Sequence, residues 1–143
     1  MTKQLYAVFD TNVLVLALMS SRQSSPTVKL LDYVLDGRIV LLYNDEIMSE
    51  YDEVLRRDKF HFSEERIHAA LDLVKIGLYL DRMASSEDFP DADDRVFYEV
   101  ALSKDGSYVV TGNLRHFPKM PIVVSPTDMI SIIEGNLPKR PND

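Results

Sequence analysis

The sequence contains no cysteine, and this absence removes several classes of protein at once. Without cysteine there can be no disulfide, no thiolate metal ligand and no cysteine nucleophile. Basic residues are also in the minority, with 16 Lys and Arg against 23 Asp and Glu and a net charge of −7. This balance argues against a protein that holds nucleic acid through a generally basic surface, although it leaves room for a local basic groove.

Long hydrophobic runs are missing as well. The longest uninterrupted apolar run, residues 13–19, is far shorter than the roughly 18 residues that indicate a membrane span. Near the N-terminus, Asp10 interrupts an apolar run before the core of a secretory signal could form. We therefore expect a cytoplasmic protein with no membrane segment. The length predicts one domain over residues 1–134, followed by a loose, Pro-rich tail over residues 135–143.

Short apolar segments alternate with amphipathic ones along the chain. Segments typical of buried strands cover residues 5–9, 39–43, 108–111 and 122–124, and a further short strand is predicted at residues 81–83. Helical spacing of apolar residues lies between and after them, and the helix that begins near Ser63 is predicted to extend to Leu78. This alternation predicts an α/β protein with a mostly parallel central sheet.

Polar residues follow two of the predicted strands, where parallel sheets bind ligands. Asp10 directly follows the first strand, and Thr111 and Asn113 close the strand that begins at residue 108. Asp91–Asp94 begin the helix before that strand, and Glu50 lies one turn into the helix after the second strand. We expect all of these side chains to reach the same edge of the sheet.

Each acid also has a purely structural explanation. Asp10 can cap a helix, Asp91–Asp94 can be a helix start favoured by the macrodipole, and Glu50 can lie on a solvated face. The convergence of acids from distant segments is what favours a functional site. Clustered carboxylates repel one another unless a cation lies among them. Oxygen ligands without His or Cys select Mg²⁺ or Mn²⁺, which can support phosphodiester hydrolysis.

Four segments of the chain together resemble the motifs of the PIN-domain family, in order and in spacing. They are residues 8–13, 49–55, 91–97 and 110–113, and the similarity runs from about Leu5 to Ser125. Within the family, the chain looks most like the bacterial branch whose members are described as toxin components of toxin–antitoxin systems. The resemblance implies a three-layer α/β/α sandwich and a Mg²⁺- or Mn²⁺-dependent ribonuclease.

The resemblance also assigns roles to individual residues. It places the catalytic, metal-binding acids at Asp10, Glu50 and Asp94, with Asp91 as a companion ligand. It further implies a cognate antitoxin protein as a partner, and a homodimer.

One position departs from the family's pattern, because its fourth acid falls on Asn113. An amide oxygen can still bind Mg²⁺, but the site loses one negative charge. We therefore predict a weakened metal site with activity that favours Mn²⁺. Asn12 and Thr111 match the family's supporting polar residues.

Several basic residues are candidate contacts for the substrate. Arg22, Arg115 and His116 are candidate RNA contacts, as is Lys104.

Two alternative functions stay open. The first alternative is a weakened PIN-like domain that binds RNA or a protein partner without cutting. The second is a phosphatase or receiver-like fold in which Asp10 accepts a phosphate, but such folds usually need a second acid near the first strand and a lysine after a late strand.

Overall fold

The computed structural model describes residues 4–135, which form five strands and six α-helices. The strands are β1 (Leu5–Phe9), β2 (Ile39–Tyr43), β3 (Leu78–Tyr79), β4 (Tyr108–Val110) and β5 (Val123–Val124). The helices are α1 (Thr11–Met19), α2 (Pro26–Leu35), α3 (Asp45–Leu55), α4 (Glu64–Lys75), α5 (Arg95–Leu102) and α6 (Pro126–Ile133). Short 3₁₀ turns lie at Asp58–Phe60, Ala92–Asp94 and Leu114–His116. Apart from Gly135, the predicted tail lies outside the described residues.

The five strands form one parallel sheet in the order β3-β2-β1-β4-β5. The chain builds outward from β1 to β3 on one side and then crosses to β4 on the other. The strand order therefore reverses between β1 and β4, and a ligand site is expected beyond the carboxyl ends of these two strands. Phe9 pairs with Val110 in the register, so the residues that follow them, Asp10 and Thr111, come side by side.

Helices cover both faces of the sheet. Ala7, Val8 and Phe9 are 0%, 0% and 1% exposed, although successive side chains of a strand point to opposite faces. Both faces of β1 are therefore buried, and the sheet is the middle layer of a three-layer α/β/α sandwich, as the family resemblance implies. None of the helices within residues 4–135 is long and apolar enough to cross a membrane.

The third strand lies elsewhere than the sequence pattern indicates. The predicted strand at residues 81–83 is wrong, and so is the extension of the preceding helix to Leu78, because α4 ends at Lys75 and Leu78–Tyr79 pairs with β2. Gly77 permits this change of direction, since a Cβ atom there would lie 1.9 Å from the carbonyl oxygen of Leu41. The strand is short and at the edge, so it carries no buried run that the sequence could reveal.

Candidate active site

Asp10 lies where β1 ends and α1 begins, at the reversal of strand order. It precedes α1 as a capping residue would, but within the described residues its carboxylate makes no capping hydrogen bond. Instead, Thr111 Oγ1 donates to Asp10 Oδ2 at 2.8 Å. Asp10 is only 7% exposed. Burial raises the pKa of Asp10, and the hydrogen bond from Thr111 opposes that rise.

The hydroxyl of Thr111 is fixed from both sides. It donates to Asp10 and accepts a hydrogen bond from the backbone N–H of Asn113 at 2.9 Å. Thr111 is fully buried. The pairing of β1 with β4 therefore places Thr111 and Asn113 beside Asp10, as expected from the sequence; their supporting roles stay predictions.

Glu50 is brought to the same place by α3. Thr11, the residue after Asp10, donates its hydroxyl to Glu50 Oε2 at 3.3 Å. Burial raises the pKa of Glu50, the hydrogen bond from Thr11 lowers it, and the charges of Glu53 and, less strongly, Asp93 raise it. Next to Glu50, the buried Tyr51 donates its hydroxyl to the carbonyl oxygen of Phe9, which fixes α3 against the end of β1.

Asp94 joins this group of acids from the segment that precedes α5. It ends the 3₁₀ turn that precedes α5. Burial, and then the charges of Asp10 and Asp91, raise the pKa of Asp94 to about 6, while His116 opposes the rise. His116 Nδ1 lies 3.6 Å from Asp94 Oδ2. The acids therefore share one electrostatic environment, although they come from distant segments.

Asp91 and Asp93 lie at the edge of this group. Asp91 Oδ1 accepts a hydrogen bond from the backbone N–H of Asp93 at 2.9 Å, so the side chain of Asp91 caps its own turn. Both residues are exposed. Asp93 and Glu50 also line a surface cleft of about 520 Å³, in which Arg82 is the basic side chain among several acids.

The chemistry of these acids fits a divalent cation, although the side chains are not yet gathered around one point. Among residues 4–135, no three carboxylate or imidazole side chains stand close enough together to hold a metal ion as they are placed. Asp10, Glu50 and Asp94 nevertheless offer only oxygen donors, which suit Mg²⁺ or Mn²⁺. Burial, and then the charges of Asp10 and Asp91, raise the pKa of Asp94, and a bound cation would favour the ionised form of these acids.

Within residues 4–135, the side chains of the remaining predicted residues form no hydrogen bond or ion pair with these acids. Asn12 is exposed in the first turn of α1, and Arg22 is exposed in the segment beyond the end of that helix. Arg115 is exposed on the turn that follows Asn113. Lys104 does not join the site, because it lies before β4, at the opposite edge of the sheet, with its ammonium 4.2 Å from the ring centre of Tyr6.

An ion pair that the sequence reasoning missed joins two of the elements that carry these acids. Glu99 in α5, with its side chain 5% exposed, accepts a hydrogen bond from Arg82 Nε at 2.8 Å. Arg82 Nη1 also binds Glu46 Oε2 in α3 at 2.7 Å. Burial alone would raise the pKa of Glu99, but hydrogen bonds from Arg82 and Ser85 hold it below its usual range. Thr11 and Tyr51 were also missed as contacts of the site, although both lie inside the segments 8–13 and 49–55 that carry the family resemblance.

Comparison with protein families gives one finding. A family model described as a PIN domain matches residues 6–115, which is more than half of the chain. The matched region contains the acids Asp10, Glu50, Asp91 and Asp94, and it also contains Asn113. No curated protein and no solved structure gives a significant match.

Proposed function

The chain belongs to the PIN-domain family, and on that premise we propose that it is a divalent-metal-dependent endoribonuclease. PIN domains are typically nucleases and generally use divalent metal ions. The observation that carries the proposal is the buried carboxylate of Asp10 at the reversal of strand order, fixed by Thr111 and electrostatically coupled to Asp94. A buried acid that shares a field with other acids is costly to keep unless it serves a cation.

In this proposal Asp10, Glu50 and Asp94 hold the cation, with Asp91 and Asn113 as outer oxygen donors. When bound, a divalent cation neutralises the charge that builds up on a phosphodiester and makes water a better nucleophile at neutral pH. The chain's own residues prepare for this. The buried hydroxyls of Thr111 and Thr11 donate hydrogen bonds to Asp10 and Glu50, and these bonds keep the two carboxylates oriented before any ligand binds.

The choice of cation follows from Asn113. The backbone N–H of Asn113 donates a hydrogen bond to the hydroxyl of Thr111, so the position of Asn113 beside the acids is fixed, but its side chain is a neutral amide. A site with one fewer negative charge binds a hard cation less tightly. We therefore propose that Mg²⁺ or Mn²⁺ serves the site and that Mn²⁺ supports more activity.

The same residue favours a second function. If Asn113 weakens the site far enough, the domain binds RNA or a protein partner without cutting. A metal titration separates the two functions, because only the nuclease requires the cation for its product.

The finer assignments rest on the family resemblance alone. We propose that the chain is the toxin of a toxin–antitoxin pair, that it acts in the cytoplasm as a homodimer, and that a cognate antitoxin covers the acids. Arg22 is proposed to contact RNA. Induced expression in a bacterial host tests the toxin role. Growth should stop with the wild type and continue with Asp10→Asn at equal protein level, whereas equal growth of the two cultures contradicts it.

The central test is cleavage of a mixed set of structured and single-stranded RNAs with Mg²⁺, with Mn²⁺ and with EDTA. The wild type, Asp10→Asn and a matched control, Asp105→Asn, are purified identically. Asp105 is exposed in the turn before β4, at the opposite edge of the sheet. We expect metal-dependent cutting by the wild type and the control, and none by Asp10→Asn. Cutting by a well-folded Asp10→Asn protein at the wild-type rate would show that a contaminant or another site is responsible.

A further inference from the structure

One segment of this acidic chain contains no acid at all. From residue 106 to residue 127 there is neither Asp nor Glu, although the whole chain has 23 of them. The segment contains β4, the loop that joins β4 to β5 (residues 113–122, the β4–β5 loop) and β5 itself. The loop carries Arg115, His116 and Lys119. The charge of the loop is therefore opposite in sign to that of the chain.

The β4–β5 loop begins at the acids. Asn113 is hydrogen-bonded to Thr111 beside Asp10, and three residues later His116 lies 3.6 Å from Asp94. Because β4 and β5 are parallel, the loop has to run from the carboxyl edge of the sheet back to the amino edge. The loop therefore leads away from the acid cluster toward the start of β5.

A buried aromatic side chain anchors this loop. Phe117 is 4% exposed, and its ring packs edge to face against Phe89 with the ring centres 5.8 Å apart. The residues on either side of this anchor turn outward. Leu114 and Met120 are 45% and 41% exposed, and Arg115 and Lys119 are also exposed.

The two permanent cations of the loop are not neutralised by neighbouring acids. Within residues 4–135, neither Arg115 nor Lys119 takes part in an ion pair. Several other cations of the chain do, including Arg56, Arg82 and Arg95. The positive charge of the β4–β5 loop is thus available to an anionic ligand.

We propose that the β4–β5 loop is the RNA-binding track of this protein, with Arg115 and Lys119 contacting backbone phosphates and the exposed Leu114 and Met120 contacting riboses and bases. This inference rests on the proposed ribonuclease function, because it names how the same site holds its substrate. A cluster of acids repels a polyanion, so a phosphate reaches Asp10 and Asp94 only if cations nearby hold the rest of the strand. RNA is favoured over an acidic protein because the loop is continuous with the acids that would act on a phosphodiester.

RNA binding without cleavage tests the track. A labelled single-stranded RNA is titrated in EDTA with Asp10→Asn, and with the same protein that also carries Arg115→Gln and Lys119→Gln. A matched control carries Lys29→Gln and Lys75→Gln, which remove the same charge from exposed positions on α2 and α4. We expect the loop variant to bind about tenfold more weakly at low salt and its log–log salt dependence to be shallower by about 1.4, for two lost phosphate contacts. The control should bind almost as Asp10→Asn does.

The outcomes separate this inference from the proposed function. Unchanged RNA affinity of the loop variant overturns the track, and equal losses in the loop variant and the control do so too, since they indicate only an effect of net charge. Displacement of the RNA by a polyglutamate peptide at far lower concentration than by unlabelled RNA would assign the loop to an acidic protein instead. Metal-dependent cleavage by the wild type is measured in parallel, so that a nuclease without this track is recognised as such.

Discussion

We expect Asp94→Asn to stabilise the metal-free protein at neutral pH. The pKa of Asp94 in the folded chain is raised from 3.8 to about 6, first by burial and then by the charges of Asp10 and Asp91. Its side chain is only 18% exposed, so solvent screens these effects little. A carboxylate in this position is therefore harder to ionise in the folded chain than in the unfolded one, and at neutral pH its charge opposes folding.

The sign and size follow from proton linkage. Between the unfolded and folded pKa values, the folded chain binds the proton that the unfolded chain has lost, so the free energy of unfolding falls as pH rises through that window. The favourable contribution of the protonated Asp94 to the free energy of unfolding is complete below about pH 4 and is lost above about pH 6. The difference between 3.8 and about 6 is roughly two in pKa, and at 1.36 kcal/mol for each pKa unit the free energy of unfolding loses about 3 kcal/mol by neutral pH. The asparagine variant has the same shape and no charge, so it avoids this loss.

Urea unfolding in EDTA across this pH range measures the effect. The wild type and Asp94→Asn should differ little near pH 4 and should diverge as pH rises, whereas the control Asp105→Asn should follow the wild type throughout. Addition of Mn²⁺ near neutral pH should stabilise the wild type more than Asp94→Asn, because the cation replaces the missing proton. A variant that is equally or less stable than the wild type at every pH would refute the electrostatic account of the acid cluster.

Two further predictions concern the metal site and the missed ion pair. Asn113→Asp should lower the Mn²⁺ concentration needed for half-maximal thermal stabilisation by about tenfold, because it restores a charged ligand; an unchanged midpoint would mean that Asn113 does not contribute to the site. Glu99→Gln should lower the free energy of unfolding by about 2 kcal/mol, because a neutral amide cannot accept from both Arg82 and the backbone N–H of Ser85. The exposed Glu65→Gln is its control; equal stability of these two variants would contradict the role assigned to the pair.

Much of the fold was predictable because its buried strands are continuous apolar runs. The strand at residues 5–9 and the strand at residues 39–43 are confirmed to the residue. Both are interior strands of the sheet, their residues are buried or half-buried, and the polar residues Asp10 and Asn44 directly follow them. The edge strand β3 could not be found in this way, because two exposed residues cannot show a period. Its position is set by the close passage of Gly77 over β2, which is a tertiary contact.

The candidate site was predictable to the extent that it depends on strand ends. Asp10 and Thr111 follow neighbouring strands, so the sheet topology alone brings them together. The contacts that orient the acids were not predictable, because they depend on how helices pack. Thr11 reaches Glu50 only because α1 packs against α3. Arg82 reaches Glu46 and Glu99 only because the segment after β3 crosses both of their helices.

These contacts explain how a domain of this size tolerates a cluster of acids that repel one another. The repulsion acts between segments that belong to different helices, so it favours their separation whenever no cation is bound. Arg82 joins α3, which carries Glu50, to α5, which Asp94 precedes, and it does so through a glutamate that is itself buried. The charge-assisted ion pairs of Arg82 thus hold together the same two segments that the repulsion between the acids pushes apart. Loss of Glu99 should therefore weaken the protein most at neutral pH without metal, where the repulsion is largest, and least when Mn²⁺ is bound.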